Sequence, residues 1–328
     1  MRPVQVLCIG NAIVDILARV EDQFLTDHGR TKGAMMLVDM ETSARLYDAM
    51  PPATERSGGC AANTAAGIAS FGGTTRFVGK VRDDQLGTVF RHDIRAGGVH
   101  FDTEPSTDGE ATATSMILVT PDAQRTMNTY LGACGHLTPD DIRREDIETA
   151  SALYVEGYLW DRPAAKDAVR KAMTLAKECG TDVALTLSDS FCVDRFRDEF
   201  LDLVENHVDV LFANEDEIKS LYQVDSFEAA VEKLRPSVKI AALTRGAEGS
   251  VALTANEMVT VRAFDTEVED TTGAGDLYAS GFLYGLTSGQ DLKTCAHLGA
   301  LAASEIISHL GARPNVSLKA EAEKQGLL

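Results

Sequence analysis

Short apolar runs alternating with helix-length segments leave this chain few folds to choose from. "VQVLCIG" (4–10), "ALYVEG" (152–157), "DVALTLS" (182–188), "VDVLFAN" (208–214) and "KIAALTRG" (239–246) are rich in β-branched and aliphatic residues and read as strands buried on both faces. Between the later ones lie the helical patterns "PAAKDAVRKAMTLAKECG" (163–180) and "FEAAVEKLRP" (227–236), the second closed by proline. Strands alternating with helices of that length imply βαβ units, hence an α/β fold with a mostly parallel central sheet and helices on both faces.

Two regions break this rhythm. Residues 12–20 with 34–39, and 99–105 with 112–120, look like strands with no helix between partners. They suit a small antiparallel sheet beside the main one, a discontinuous lid built from about 12–20, 33–40 and 99–120 within a single domain spanning 1–328. At 44% hydrophobic residues the chain can fill a large core, and a formal net charge of −19 without a Lys/Arg stripe argues against nucleic-acid binding. The six cysteines are scattered, with no Cys-x-x-Cys pair and no zinc-type His spacing. No apolar stretch approaches the ~20 residues of a membrane span. A cytoplasmic protein with reduced thiols and no membrane partner is expected.

The segment "EDTTGAGDLYASGFLYGL" (269–286) places a Gly-Ala-Gly turn and the carboxylate of Asp276 at the start of an apolar helix. A helix start presents N–H groups and positive potential, which suits a phosphate, although such a turn can equally be a simple cap. A P-loop is absent: Gly79-Lys80 is followed by Val81 and has no upstream glycine at the required spacing. "GAGDLY" has Tyr278 at the third glycine position of the dinucleotide fingerprint, which disfavours a plain dehydrogenase. Four further segments accompany it: "SGGCAANTAAGIASFGG" (57–73), "FANEDEIKSL" (212–221), "LTRGAEGSV" (243–251) and "CIGNAIVDI" (8–16). Gly281 and Gly285, four apart, read as a smooth helical stripe for close packing against 299–304.

Together these segments resemble, in order, the PfkB family of carbohydrate and nucleoside kinases, the ribokinase and adenosine kinase family, over about residues 5–315. "DTTGAGD" is similar to its carboxy-terminal signature, and Gly58-Gly59 with Asn63 to its amino-terminal one. Asn214-x-x-Glu217 resembles its magnesium and phosphate motif, and Thr244-x-Gly246-x-x-Gly249 its nucleotide turn. The resemblance implies a ribokinase-like three-layer sandwich and an ATP-dependent kinase of a primary hydroxyl. Asp276 would be the base, and the backbone of Gly273, Ala274 and Gly275 the anion hole.

The remaining roles are likewise implied by the resemblance. Asn214, Thr244, Gly246, Gly249 and Thr271 would meet the nucleotide, with Glu217 acting on Mg²⁺ through water. Asn11, Asp15, Gly58, Gly59 and Asn63 would hold the acceptor. The amino-terminal "GNAIVDILARV" (10–20) is similar to the adenosine kinase branch, where Phe191 would stack on the purine beside Leu37, Leu131, Ala133 and Tyr158. Adenosine is the expected acceptor; ribose or another sugar, and a non-catalytic sensor, are the alternatives. Glu156 and the segment "LGACGH" (131–136) depart from that branch and leave room for another nucleoside or a sugar. Arg125 is read either as neutralising phosphate or as a surface residue. A monovalent cation such as K⁺ near Asp270 and 309–315, and a monomeric or homodimeric state, complete the expectations.

Overall fold

The structure, a computed structural model, describes residues 3–122 and 124–328. The chain contributes strands Val4–Ile9 (β1), Ile13–Arg19 (β2), Met35–Leu37 (β3), Thr54–Gly58 (β4), Thr75–Val78 (β5), His100–Phe101 (β6), Ala113–Val119 (β7) and Arg125–Tyr130 (β8). They are followed by Ala150–Glu156 (β9), Asp182–Thr186 (β10), Val210–Asn214 (β11), Ile240–Thr244 (β12), Ser250–Leu253 (β13) and Met258–Val261 (β14). All five apolar runs are strands of one nine-stranded sheet of order β14-β13-β12-β11-β10-β9-β1-β5-β6. It is parallel from β6 through β12, and β13 and β14 close it as antiparallel edge strands.

Helices cover both faces, and each face carries its own apolar layer. One layer holds Leu153, Leu185 and Leu211 from the strands with Ala168, Val169 and Leu203 from the helices Pro163–Cys179 and Ser190–Asn206. The other holds Cys8, Phe77 and Phe212 with Ile68 and Phe282 from the helices Cys60–Ser70 and Ala274–Thr287. Helix Phe227–Leu234 forms as its pattern predicts, with Ser226 as N-cap, and Gly180 ends helix Pro163–Cys179 in a left-handed conformation.

The second sheet has five strands, order β3-β8-β7-β2-β4. Neither expected pair forms, 12–20 with 34–39 or 99–105 with 112–120; the antiparallel pairs are β2–β4 and β7–β8, and the parallel pairs β2–β7 and β3–β8 join them. Its membership differs from the sequence reading. Residues 100–101 leave it for the main sheet: they follow β5 through the helix Gln85–Ala96, and a strand–helix–strand crossover returns parallel beside its starting strand. Thr54–Gly58 and Arg125–Tyr130 take the vacated place. The close approach inferred from Gly281 and Gly285 is present, since a Cβ on Gly281 would lie 2.3 Å from the carbonyl oxygen of Leu298.

Candidate active site

In an open parallel sheet the strand ends leave a crevice at their carboxyl side, deepest where the strand order reverses. Here the order reverses between β1 and β9, because the chain moves from β1 to β5 on one side and later returns to lay β9 on the other. A cavity of about 790 Å³ occupies that end. Its floor takes one residue from each successive strand end: Asn11 after β1, Glu156 of β9, Thr186 of β10, Asn214 of β11 and Thr244 of β12.

The smaller sheet faces the cavity with every second residue, the period a pleated strand imposes. Cross-strand register arranges these residues in two rungs. Met35, Met127 and Ile117 form an apolar rung, and Leu37, Thr129, Ser115 and Asp15 a mostly polar one. Ser115 and Thr129 hydroxyls lie 3.0 Å apart. Asp15 fits because Gly58, diagonal to it on β4, carries no side chain: a Cβ there would come within 2.1 Å of the carboxylate. Burial pushes the Asp15 carboxyl up to about 7, countered by the charge of Arg313.

Asp276 stands in the first turn of helix Ala274–Thr287, after Gly273 at φ +75°, a conformation that suits glycine. Asn63 Nδ2 donates to its Oδ2 at 2.9 Å, and Thr64 Oγ1 donates to its backbone oxygen at 3.1 Å. A carboxylate only accepts, so the Asn63 amide must turn its nitrogen here. That leaves Asn63 Oδ1 buried without a protein partner. Burial raises the Asp276 carboxyl to about 6, with the bonds from Asn63 and Cys60 and the charge of Arg313 holding it down. Gly275 opens onto the cavity with nothing within 4 Å of where a Cβ would stand. Of the three N–H groups expected in the anion hole, that of Ala274 is donated to Thr271 O at 3.3 Å.

Asn214 and Glu217 form a capping box. Asn214 Oδ1 accepts from Glu217 N at 2.8 Å, and Glu217 Oε2 accepts from Asn214 N at 3.0 Å. Asn214 Nδ2 also donates to Glu217 Oε1 at 2.6 Å. Burial raises the Glu217 carboxyl to about 7, and Asp189, Asp216 and Asp276 add to the rise. Arg125, from the smaller sheet, reaches the loop before Gly273. Its Nε pairs with the fully buried Asp270 at 2.7 Å, Nη2 donates to Thr271 Oγ1 at 2.7 Å, and Nη1 donates to Thr272 Oγ1. Asp270 also accepts from Thr272 N, Thr272 Oγ1 and Gly311 N. Arg125 is thus neither a surface residue nor unpaired.

Asn11, Asp15, Leu37, Gly59, Asn63, Leu131, Tyr158, Asn214, Glu217, Thr244, Gly246, Thr271 and the 273–276 turn all line the cavity. Four expected residues do not. Gly58 lies behind Asp15, and Ala133 is fully buried elsewhere. Gly249, at φ +93°, makes the β12–β13 turn with its Cα against Val261 O rather than facing a nucleotide. Phe191 is 62% exposed, in the first turn of its helix, with Arg195 over its ring at 4.6 Å. It neither walls the cavity nor fills the core. Sequence reasoning missed Met35, Ile117 and Met127; the alternation in "RTMNTYL" (125–131) marks Met127, while cross-strand register alone brings Met35 and Ile117 beside it. It also missed Arg313, whose guanidinium donates to Ser57 O at 2.9 Å and to Ala62 O, behind Asp15 and Asp276.

The profile of the pfkB family carbohydrate kinases matches residues 34–319. The chain belongs to the pfkB family. Among solved structures, the kinase is similar to an adenosine kinase from Sinorhizobium meliloti, 52% identical over 98% of this chain and 99% of that one, with a TM-score of 0.93. A protein from Rhizobium etli CFN 42 described as a probable sugar kinase is 51% identical over the whole of both chains, with a TM-score of 0.95. A 5-dehydro-2-deoxygluconokinase from Listeria monocytogenes is 31% identical over 76% of this chain and 80% of its own length. The fold is ribokinase-like and the enzyme is a sugar or nucleoside kinase, a phosphotransferase that uses ATP and an alcohol acceptor. Among the described residues no helix is long and apolar enough to cross a membrane.

Proposed function

We propose that this kinase transfers the γ-phosphoryl group of ATP to the 5′-hydroxyl of adenosine, giving AMP and ADP. The observation that carries the acceptor class is the pair of rungs over the floor. Asp15, Ser115 and Thr129 offer a short polar strip suited to ribose hydroxyls, and Met35, Met127 and Ile117 an apolar strip suited to a flat base. The likeness to the adenosine kinase of S. meliloti supports the same reading. Asp276 takes the proton of the attacking hydroxyl. Asn63 Oδ1 is placed to receive that hydroxyl or a neighbouring one, because the oxygen is buried and lacks a donor. The helix start at 273–276 provides fixed N–H dipoles for the charge that develops on the transferring phosphoryl.

Mg²⁺ fits the acidic floor: Glu217 is a buried carboxylate whose bonded partners are neutral amides and whose charged neighbours are acidic. Asn214 and Glu217 would hold it through water, and when bound it supplies charge neutralisation along the phosphates. Arg125 already carries the positive charge at Asp270, so K⁺ has no part in this proposal.

A second reading, phosphorylation of a sugar, draws on the likeness to the R. etli and L. monocytogenes proteins. ADP release measured with adenosine, inosine, ribose and fructose 6-phosphate separates the two. Adenosine is expected to give a kcat/KM at least tenfold above the others; efficient turnover of a sugar with adenosine inert overturns the nucleoside assignment and keeps the kinase.

A further inference from the structure

Glu156 is 1% exposed and stands at the end of β9, beside the end of β1, where the strand order of the sheet reverses. It joins three segments. Oε1 accepts from Asn11 N at 2.8 Å and from Asn11 Nδ2 at 2.6 Å, and Oε2 accepts from Ala61 N at 2.8 Å at the start of helix Cys60–Ser70. Gly10 makes room for it, since a Cβ there would come within 2.3 Å of Oε2. A carboxylate offers no donor, so the Asn11 amide has one orientation open to it: Nδ2 to Glu156, Oδ1 away from it. Asn11 is itself 5% exposed and lines the cavity on the same side as Asp15 and Asn63.

We propose that Glu156 is a positioning residue for acceptor recognition: it locks the Asn11 amide so that Oδ1 serves as a hydrogen-bond acceptor for a hydroxyl of the substrate. Four features support this. The pair sits where the sheet topology places ligands. Both oxygens of Glu156 bind N–H groups, and Oε1, the one facing Asn11, has both its lone pairs taken. The backbone bond to Asn11 N holds the residue in place while the side-chain bond sets which end of the amide faces out. The bond from Ala61 ties the same carboxylate to the helix that carries Asn63, so Asn11 and Asn63 are held in fixed relation. Two buried amide oxygens, each fixed because its nitrogen faces a carboxylate, then read the acceptor's hydroxyls.

The inference rests on Asn11 belonging to the acceptor half of the site, and the experiment distinguishes its failure from that of the adenosine assignment. Glu156→Gln, Glu156→Ala, Asn11→Ala and the double variant Glu156→Ala/Asn11→Ala are compared in kcat and KM for acceptor and for ATP. Adenosine is the acceptor probe, with ribose in its place if adenosine is inert; 2′-deoxy- and 3′-deoxyadenosine are run beside adenosine. Glu156→Ala is expected to raise the acceptor KM about tenfold or more, the scale of a lost charge-assisted hydrogen bond, with KM for ATP within about twofold. Glutamine can keep Oε1 toward Asn11 and turn Nε2 against Ala61 N alone, so it is expected to retain most of the Asn11 lock and to move the acceptor KM less than alanine. Wild type should penalise at least one deoxy analogue, and Glu156→Ala should lose that penalty. Glu156→Ala should cost nothing further once Asn11 is alanine. Additive losses, or an unchanged deoxy penalty in Glu156→Ala, overturn the proposal whichever acceptor is used. Should Glu156→Ala fail to fold, Glu156→Leu, which keeps the volume and offers no acceptor, replaces it in the same comparisons.

Discussion

Asp276 is held at odds with its own stability. Burial raises its carboxyl to about 6, above the ordinary value near 4, so the folded enzyme binds this proton more tightly than the unfolded chain does. Stability from this group is therefore greatest below about pH 4 and is lost as pH rises through about 6. A base must be ionised to act, so activity runs the other way: kcat/KM should rise through about pH 6 and level off above it. Asp276→Asn tests both at once. Turnover at pH 8 should fall about 10²–10⁴-fold, the contribution of a positioned general base. Over the same pH the melting temperature should rise by roughly 2–5 °C, because a neutral amide removes the cost of the buried charge. That gain should vanish at pH 5, where the wild-type carboxyl is itself protonated. Near wild-type turnover sinks the assignment of the base; a gain that persists at pH 5 sinks the electrostatic account.

Helix Ala274–Thr287 carries two glycines with opposite duties. Gly275 opens onto the cavity, while Gly281 faces the backbone of helix Leu292–Ile307 at a distance no side chain can occupy. Gly275→Val should abolish measurable turnover with the melting temperature within a few degrees of wild type, since the added side chain meets only the phosphoryl site. Gly281→Ala should instead destabilise by about 1–3 kcal/mol through overpacking, with the folded fraction still active. The reverse pattern in circular-dichroism melts and ADP release would refute this division of the helix. The turn at 273–275 reads equally as a cap, and its phosphate role came from the family resemblance; the packing duty of Gly281 was legible in the sequence, because glycine spacing on a helix face has direct geometric meaning. The buried parallel strands were legible for the same reason: apolar on both faces, they leave continuous runs. The smaller sheet was read less well. His100–Phe101 is too short to carry a pattern, and which sheet it joins is fixed by the crossover before it. Phe191 shows the limit for the site: resemblance proposed a stacking wall, but helix phase turns that ring to solvent, and the apolar wall comes from Met35, Met127 and Ile117 across three strands. Long-range register of that kind is not contained in any local stretch.

Across the whole molecule, Arg125 is the most buried side chain that joins the smaller sheet to the floor loop among the described residues, and Arg19 of β2 adds a more exposed pair to Glu269 at 3.1 Å. Arg125 leaves β8, spans the cavity edge and fastens to Asp270, Thr271 and Thr272, immediately before the helix start proposed to face the phosphoryl group. Asp270 is wholly buried and spends its other bonds on Thr272 and Gly311, so it fixes the floor loop while Arg125 fixes the sheet to it. With a net charge of −19 on the chain and Asp15, Glu156, Glu217 and Asp276 all lining one cavity, such a cationic clasp also offsets repulsion between the two sheets. Closing a kinase cavity excludes water, the competing acceptor for the phosphoryl group. Arg125→Ala should cost about 3–5 kcal/mol, the scale for stranding a buried carboxylate without its partner. Arg125→Lys is the more informative change, because it keeps the charge and loses the planar fork that reaches Asp270 and both threonines together. Its ADP release without any acceptor, taken as a fraction of release with saturating acceptor, should rise several-fold over wild type as water gains entry, while KM for ATP changes little. An unchanged ratio with unchanged kcat would show that the clasp is a passive surface contact and that closure of the cavity is secured elsewhere.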